Sequence, residues 1–180
     1  DAAQVRAALT VSFEQYGVPA AMLMDHGTPW WTSGGSAGLT TLGVFLLKQG
    51  IHLIFGAIRH PQTQGKVERF HRTLGERLRW GGVPATLQGF ERAFTAFREE
   101  YNEIRPHAAL DLEPPALHFH PSPRRYQPQP RPWLYPLGAT VRRVATLGHI
   151  QYEGHRYFVS EALRGDDVAC VSHEHRILVM

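Results

Sequence analysis

The sequence has little cysteine and no long apolar run, and each shortage excludes a class of protein. One cysteine in 180 residues excludes an internal disulfide framework and a zinc module built on cysteine pairs. No apolar run reaches the roughly 18 residues that a membrane-spanning helix needs. The opening residues, DAAQVR, lack the basic-then-apolar pattern of a secretory signal. The composition, 43% hydrophobic and 19% charged, is that of a globular protein, which we expect to be cytoplasmic and not membrane-bound.

The net charge of +3 is unevenly distributed, and nearly all of the positive charge is arginine. Seventeen of the 19 basic residues are Arg, which suits bidentate phosphate contacts, although codon bias explains the same preference equally well. Residues 121–147 carry five Arg and no acid. This segment also contains Tyr126 and Trp133 among many prolines, a combination that predicts a semi-rigid basic linker able to follow a phosphate backbone.

The apolar pattern divides the chain into a mixed helix and strand region followed by an all-strand region. Helical spacing and short apolar runs alternate in the first part, whereas period-two alternation begins at Ala139. Five short strands with a Glu153-Gly154 hairpin turn predict a small β-barrel. The predicted helices span residues 2–16, about 39–47, about 65–80 and about 87–104; the predicted strands span residues 20–24, 51–58, 141–144, 150–152, 157–159, 168–171 and 177–179.

Two carboxylates in different settings are the candidate chemical groups. Asp25 follows a short apolar run predicted to be a buried strand, and Glu68 lies near the start of an amphipathic helix. Ligand sites gather at the carboxyl ends of strands, and Mg²⁺ takes oxygen ligands from one or two carboxylates. A turn-capping Asp and a solvent-facing Glu give the same pattern, so the pair alone is weak support for a metal site.

Three blocks of sequence give this pattern a family context. They are residues 25–27 (DHG), residues 60–74 (HPQTQGKVERFHRTL) and residues 101–110 (YNEIRPHAAL). Together they resemble bacterial insertion-sequence transposases and, more broadly, the retroviral-integrase superfamily with an Asp-Asp-Glu core. The resemblance is strong over about residues 1–120 and looser beyond.

This resemblance implies an α/β fold, a ribonuclease-H-like integrase core, and a division of the chain into three parts. The implied domains are a catalytic core over residues 1–112, a Pro/Arg-rich linker over residues 113–137, and a small all-β barrel over residues 138–180. The core is expected to be partial, without its first three strands and therefore N-terminally truncated.

The chemistry implied by the resemblance is phosphoryl transfer on DNA, in transposition or DNA integration. Asp25 and Glu68 would be the second and third acids of the triad and would hold Mg²⁺ or Mn²⁺, two ions in a complete core. The implied partners are the element ends and target DNA, bound by a homo-oligomer in a bacterial, nucleoid-associated setting. The expected DNA contacts are Gln64, Lys66, Arg69, His71, Arg72, Arg124 and Arg125.

The sequence departs from the family pattern at its first acid. That Asp belongs to a strand upstream of the opening helix, and Asp1 is a poor substitute because it precedes a helix. The spacing from Asp25 to Glu68 also exceeds the usual one, consistent with an insertion at residues 30–38. We therefore expect the chain alone to be inactive. The alternatives are a non-catalytic DNA-binding or assembly remnant, and an unrelated metal hydrolase that happens to carry the two acids.

Overall fold

The computed structural model describes residues 1–33, 38–56, 65–173 and 176–179 as four helices, seven strands and several short helical turns. Every helix and strand predicted from the sequence has a counterpart among these residues; Ala57 and Ile58, the end of the second predicted strand, lie outside them. The helices are α1 (Ala2–Tyr16), α2 (Thr41–Lys48), α3 (Gly65–Gly81) and α4 (Leu87–Glu99), the last followed by a π-helical turn, Glu100–Ile104. The strands are β1 (Ala21–Met24), β2 (His52–Phe55), β3 (Thr140–Arg143), β4 (His149–Tyr152), β5 (His155–Phe158), β6 (Asp167–His173) and β7 (Arg176–Val179).

The chain forms two compact units whose boundaries differ from the predicted domain boundaries at residues 112 and 137. One unit combines Asp1–Ile58 with Ser122–Met180, and the other is Arg59–Pro121. The division into core, linker and C-terminal domain remains a prediction, because packing units need not coincide with the domains of a family.

The first unit contains a core built on α1, α2 and a two-stranded parallel sheet. β1 pairs with β2 in register from Ala21–His52 to Met24–Phe55. The sheet is less buried than the sequence predicted, since only Met24 is buried in β1 and Leu23 is 44% exposed. This parallel pair agrees with an α/β fold, while the ribonuclease-H-like core remains a prediction. The buried residues of this first core are Phe13, Val18, Met24, Leu42, Phe45, Leu46 and Ile51.

Part of the proline-rich segment packs directly on this core. The Ser122 amide donates to the Tyr16 carbonyl, and the Val18 amide donates to the Arg124 carbonyl. Gly17 between them has a φ of +78°, and a Cβ there would lie 2.2 Å from the Ser122 carbonyl oxygen, so only glycine fits. These contacts hold residues 122–124 on the end of α1, whereas the sequence predicted an extended linker.

A second core joins α2 to the C-terminal strands. β3, β6 and β7 form one antiparallel sheet, and β4 and β5 form another. Among the described residues these strands do not close into a barrel, so the predicted barrel is not confirmed. Val44 of α2 packs into this core, and Lys48 at the end of α2 bonds Asp166 at 2.6 Å. The other buried members are Val144, Ile150, Tyr152, Leu163, Val168 and Cys170.

The described part of the second unit contains α3 and α4, joined by a short connection, and the helical turns that follow α4. Phe70 of α3 contacts Phe97 and Tyr101, with ring centroids 5.6 and 5.2 Å apart. Arg77 of α3 pairs with Glu100 at 2.8 Å. Within the described part of this unit, Phe97 is the only buried hydrophobic residue.

No helix in the described part of the chain is long and apolar enough to cross a membrane.

Candidate active site

Asp25 lies at the carboxyl end of β1, in the turn that follows the strand. Its Oδ1 accepts a hydrogen bond from the Gly27 amide at 3.0 Å, so the carboxylate caps the turn. The side chain is exposed, and Oδ2 has no hydrogen-bond partner among the described residues. Asp25 therefore stabilises the turn through one oxygen and presents the other to solvent.

A cluster of three rings lies beside Asp25. The His26 imidazole approaches the Trp31 ring edge-on at 4.8 Å and lies 5.6 Å from the Phe55 ring, while Trp31 and Phe55 are 5.0 Å apart. His26 and Trp31 also line a cavity of about 430 Å³ that extends to Thr40 at the start of α2. Trp30 packs against the first core, as does Phe55. The cluster thus fixes the turn that carries Asp25 against β2.

Glu68 lies in the first turn of α3 and is exposed to solvent. Because helical residues three and four positions apart share a face, Glu68, Arg72, Gly75 and Arg79 form one stripe along α3. Phe70 lies on a different face, the one that packs against α4. Packing within the second unit therefore leaves the Glu68 carboxylate available.

The predicted DNA contacts on α3 are exposed as well. Lys66, Arg69, His71 and Arg72 all face solvent, and Arg72 lies one turn after Glu68. The described residues give Lys66, Arg69 and Arg72 no ion pair, unlike Arg77, which bonds Glu100. The His71 ring lies 6.0 Å from that of Phe70. Gln64, the remaining predicted contact of this region, lies outside the described residues.

Arg124 and Arg125, the predicted contacts of the proline-rich segment, have different surroundings. The Arg124 guanidinium donates to the carbonyls of Pro19, Gln49 and Gly50 at 2.7, 2.7 and 2.8 Å. Arg125 is exposed. These bonds give Arg124 a structural role. The sequence did not reveal it, because all three carbonyls lie far from Arg124 along the chain. DNA binding by either residue remains a prediction.

The carboxylates of Asp25 and Glu68 both offer oxygen ligands suitable for Mg²⁺. The described residues do not place a third acid in a group with them. Asp25 belongs to the first unit and Glu68 to the second. Within the described residues, no group of three or more His, Cys, Asp or Glu side chains is arranged to hold a metal ion. Asp1 is not a third ligand of this kind, because its carboxylate accepts from the Ala3 amide and caps α1.

The middle of the chain matches a known protein family. Residues 49–115 match the integrase core domain. The matched segment begins before β2 and includes α3 and α4, so it contains Glu68 and the basic residues around it. Asp25 lies outside the match. Proteins with an integrase core domain act in DNA transposition and integration and generally use divalent metal ions, which agrees with the predicted class of function.

Proposed function

We propose that this chain is a DNA-binding member of the transposase branch of the integrase superfamily, with α3 as its main DNA-contacting element. The observation that carries the proposal is the integrase core match over residues 49–115 together with the exposed basic face of α3 inside it. Arginine and lysine side chains that lack acidic partners are available to neutralise phosphates. Lys66, Arg69 and Arg72 are the contacts we assign on this helix.

Asp25 and Glu68 are the residues that we propose hold the divalent ions. Each carboxylate presents at least one exposed oxygen, and oxygen is the ligand that Mg²⁺ and Mn²⁺ prefer. Bound ions would supply charge stabilisation for transfer of a phosphoryl group of DNA. Asp25 would keep its position through the Gly27 amide, and Arg72 would hold the DNA backbone one helical turn from Glu68.

The chain of 180 residues is expected to bind DNA without transferring strands, since the family pattern needs three acids and the sequence matches two of them. Incubation with Mg²⁺ or Mn²⁺ and a labelled duplex tests this directly. Nicking or strand transfer that Glu68→Gln abolishes would show that the two acids suffice. DNA binding without turnover is the expected result, and turnover of small phosphoesters without DNA preference would favour a metal hydrolase.

The DNA-binding role of α3 is tested by the double variant Arg69→Gln/Arg72→Gln. Each lost phosphate contact reduces the magnitude of the slope of log K against log salt by about 0.9. The double variant loses two such contacts, so we expect a slope that is shallower by about 2. Fluorescence anisotropy with a labelled duplex over a range of salt concentrations measures it. Arg92→Gln/Arg98→Gln is the matched control, because it removes two exposed charges from α4. Equal slopes for the double variant and the wild type would contradict the assignment.

A further inference from the structure

A cleft in the first unit has features that the DNA-binding surface on α3 does not explain. It has a volume of about 420 Å³ and lies between the proline-rich segment and the turn before β6. We call it the Trp133 cleft. Its lining includes Lys48, Arg131, Trp133, Arg143, Asp166 and Asp167. Its size is within the range of small-ligand sites in proteins.

One wall of the cleft is aromatic and held in place. Trp133 is half-buried, packs against the second core and lines the cleft. The Lys48 ammonium lies over the Trp133 ring, 5.7 Å from its centre, and covers part of that face. Tyr135 also lines the cleft, and its hydroxyl donates to the Asp167 carbonyl. A planar group entering the cleft would therefore meet an indole whose position is already fixed.

The charges of the cleft leave a net positive surface. Asp166 is bonded to Lys48 at 2.6 Å, and Asp167 is bonded to the Nε of Arg143 at 3.1 Å. Arg143 uses only Nε in this pair and is 70% exposed, so its two terminal nitrogens remain available. Arg131 is exposed and has no ion pair among the described residues. Lys48 and Arg143 thus neutralise the two carboxylates, and Arg131 leaves a net charge of +1. The terminal nitrogens of Arg143 can still donate hydrogen bonds to an incoming phosphate.

We propose that the Trp133 cleft binds a nucleotide of single-stranded DNA, with the base against Trp133 and the phosphate on Arg131 and Arg143. Stacking on an aromatic ring beside a cationic surface is the usual recognition of unpaired nucleic acid. A duplex keeps its bases stacked inside the helix, so only an unpaired nucleotide can reach the indole. This inference rests on the proposed DNA function and adds a second site for a separated strand.

Photocrosslinking tests the position of the base without any variant. A thymidine oligonucleotide carrying one 5-iodo-deoxyuridine is irradiated with the full chain, and the crosslinked peptide is mapped by mass spectrometry. We expect the crosslink on Trp133 or Tyr135. Crosslinks confined to peptides outside residues 130–143 would overturn the proposal.

Affinity measurements test the two halves of the ligand separately. For the phosphate, we expect Arg131→Gln/Arg143→Gln to weaken binding of the labelled thymidine oligonucleotide about tenfold, measured by anisotropy. For the base, we expect an abasic oligonucleotide to bind the wild-type chain about tenfold more weakly than the thymidine oligonucleotide. Arg156→Gln/Arg164→Gln is the matched control, since it removes two exposed charges that do not line the cleft. It should change affinity less than twofold. Equal binding of abasic and base-bearing strands, or tighter binding of the matching RNA oligonucleotide, would overturn it.

The failure of this inference is distinguishable from failure of the proposed function. The loss of duplex binding in Arg69→Gln/Arg72→Gln reports on α3, whereas the position of the crosslink reports on the cleft. Duplex binding that depends on Arg69 and Arg72, with crosslinks away from Trp133, would remove the cleft and keep the proposed function. Crosslinks at Trp133 with no binding of duplex DNA would keep the cleft and remove the proposed function of α3.

Discussion

At the scale of the residue, similar side chains in this protein have very different surroundings. Arg124 donates to three main-chain carbonyls, whereas its neighbour Arg125 is exposed. Asp25 divides its carboxylate between a turn and solvent. A residue's type therefore gives the interactions it can make, and its environment selects among them.

The three hydrogen bonds of Arg124 predict a large effect on stability. Arg124→Gln is expected to lower the free energy of unfolding by about 3 kcal/mol, because hydrogen bonds from charged donors contribute roughly 1.5–3 kcal/mol each and glutamine replaces them only in part. Urea unfolding followed by circular dichroism measures the change. Arg125→Gln serves as the control and should stay within about 0.5 kcal/mol of wild type. Similar values for the two variants would show that the Arg124 bonds contribute little.

The single thiol should be unreactive in the folded protein. Cys170 is buried, and burial raises its pKa while the charge of Arg142 lowers it only in part. A raised pKa leaves less of the reactive thiolate at neutral pH, and burial also blocks access. We expect an aromatic disulfide reagent to react slowly in native buffer and fully in denaturant. Fast reaction at neutral pH without denaturant would contradict this placement.

At the scale of the element, α3 combines a packing face with an exposed polar stripe. Phe70 packs on α4. The stripe formed by Glu68, Arg72, Gly75 and Arg79 makes no packing contact with the other described residues of the unit. The structure leaves open space around a Cβ added at Gly75. A glycine inside a helix is less favourable than alanine, so the helix carries a stability cost at this position.

Two glycine substitutions should therefore have opposite effects. Gly75→Ala is expected to raise the free energy of unfolding by about 0.5–1 kcal/mol. Gly17→Ala should lower it, because Gly17 has a positive φ and a Cβ there would overlap the Ser122 carbonyl oxygen. Thermal or urea unfolding of both variants measures the difference. A loss of stability in Gly75→Ala would show that something occupies the space beside this part of α3.

At the scale of the whole molecule, hydrophobic burial is concentrated in the first unit. That unit has two cores, and α2 contributes to both through Leu46 and Val44. The described part of the second unit buries one hydrophobic residue, Phe97. Local stability follows the number of buried apolar contacts, so the two units should open at different free energies.

Hydrogen exchange should reveal this difference directly. Amides of α3 and α4 are expected to exchange earlier than those of β6, where Val168, Ala169 and Cys170 are at most 2% exposed. Exchange followed by mass spectrometry at neutral pH measures both segments in one experiment. Equal protection across α4 and β6 would mean that the second unit is stabilised by contacts beyond its own residues.

The sequence by itself determined the helices and strands, because periodicity and turn residues act locally. α1 spans the predicted residues 2–16, and the five C-terminal strands lie where the alternation predicted them. It also predicted a resemblance to integrases, and the block around Glu68 lies inside the segment that matches the integrase core domain. Metal binding by Asp25 and Glu68, and DNA binding by the basic residues, remain predictions.

Only the tertiary structure decided which distant segments meet. The sequence predicted a linker and a barrel from prolines and alternating strands, but composition does not specify long-range hydrogen bonds. Ser122 and Arg124 bind the end of α1 and the end of α2. The described C-terminal strands form two sheets, and the predicted barrel is not confirmed. The Trp133 cleft arises in the same way, since its walls lie far apart in sequence and are brought together by folding.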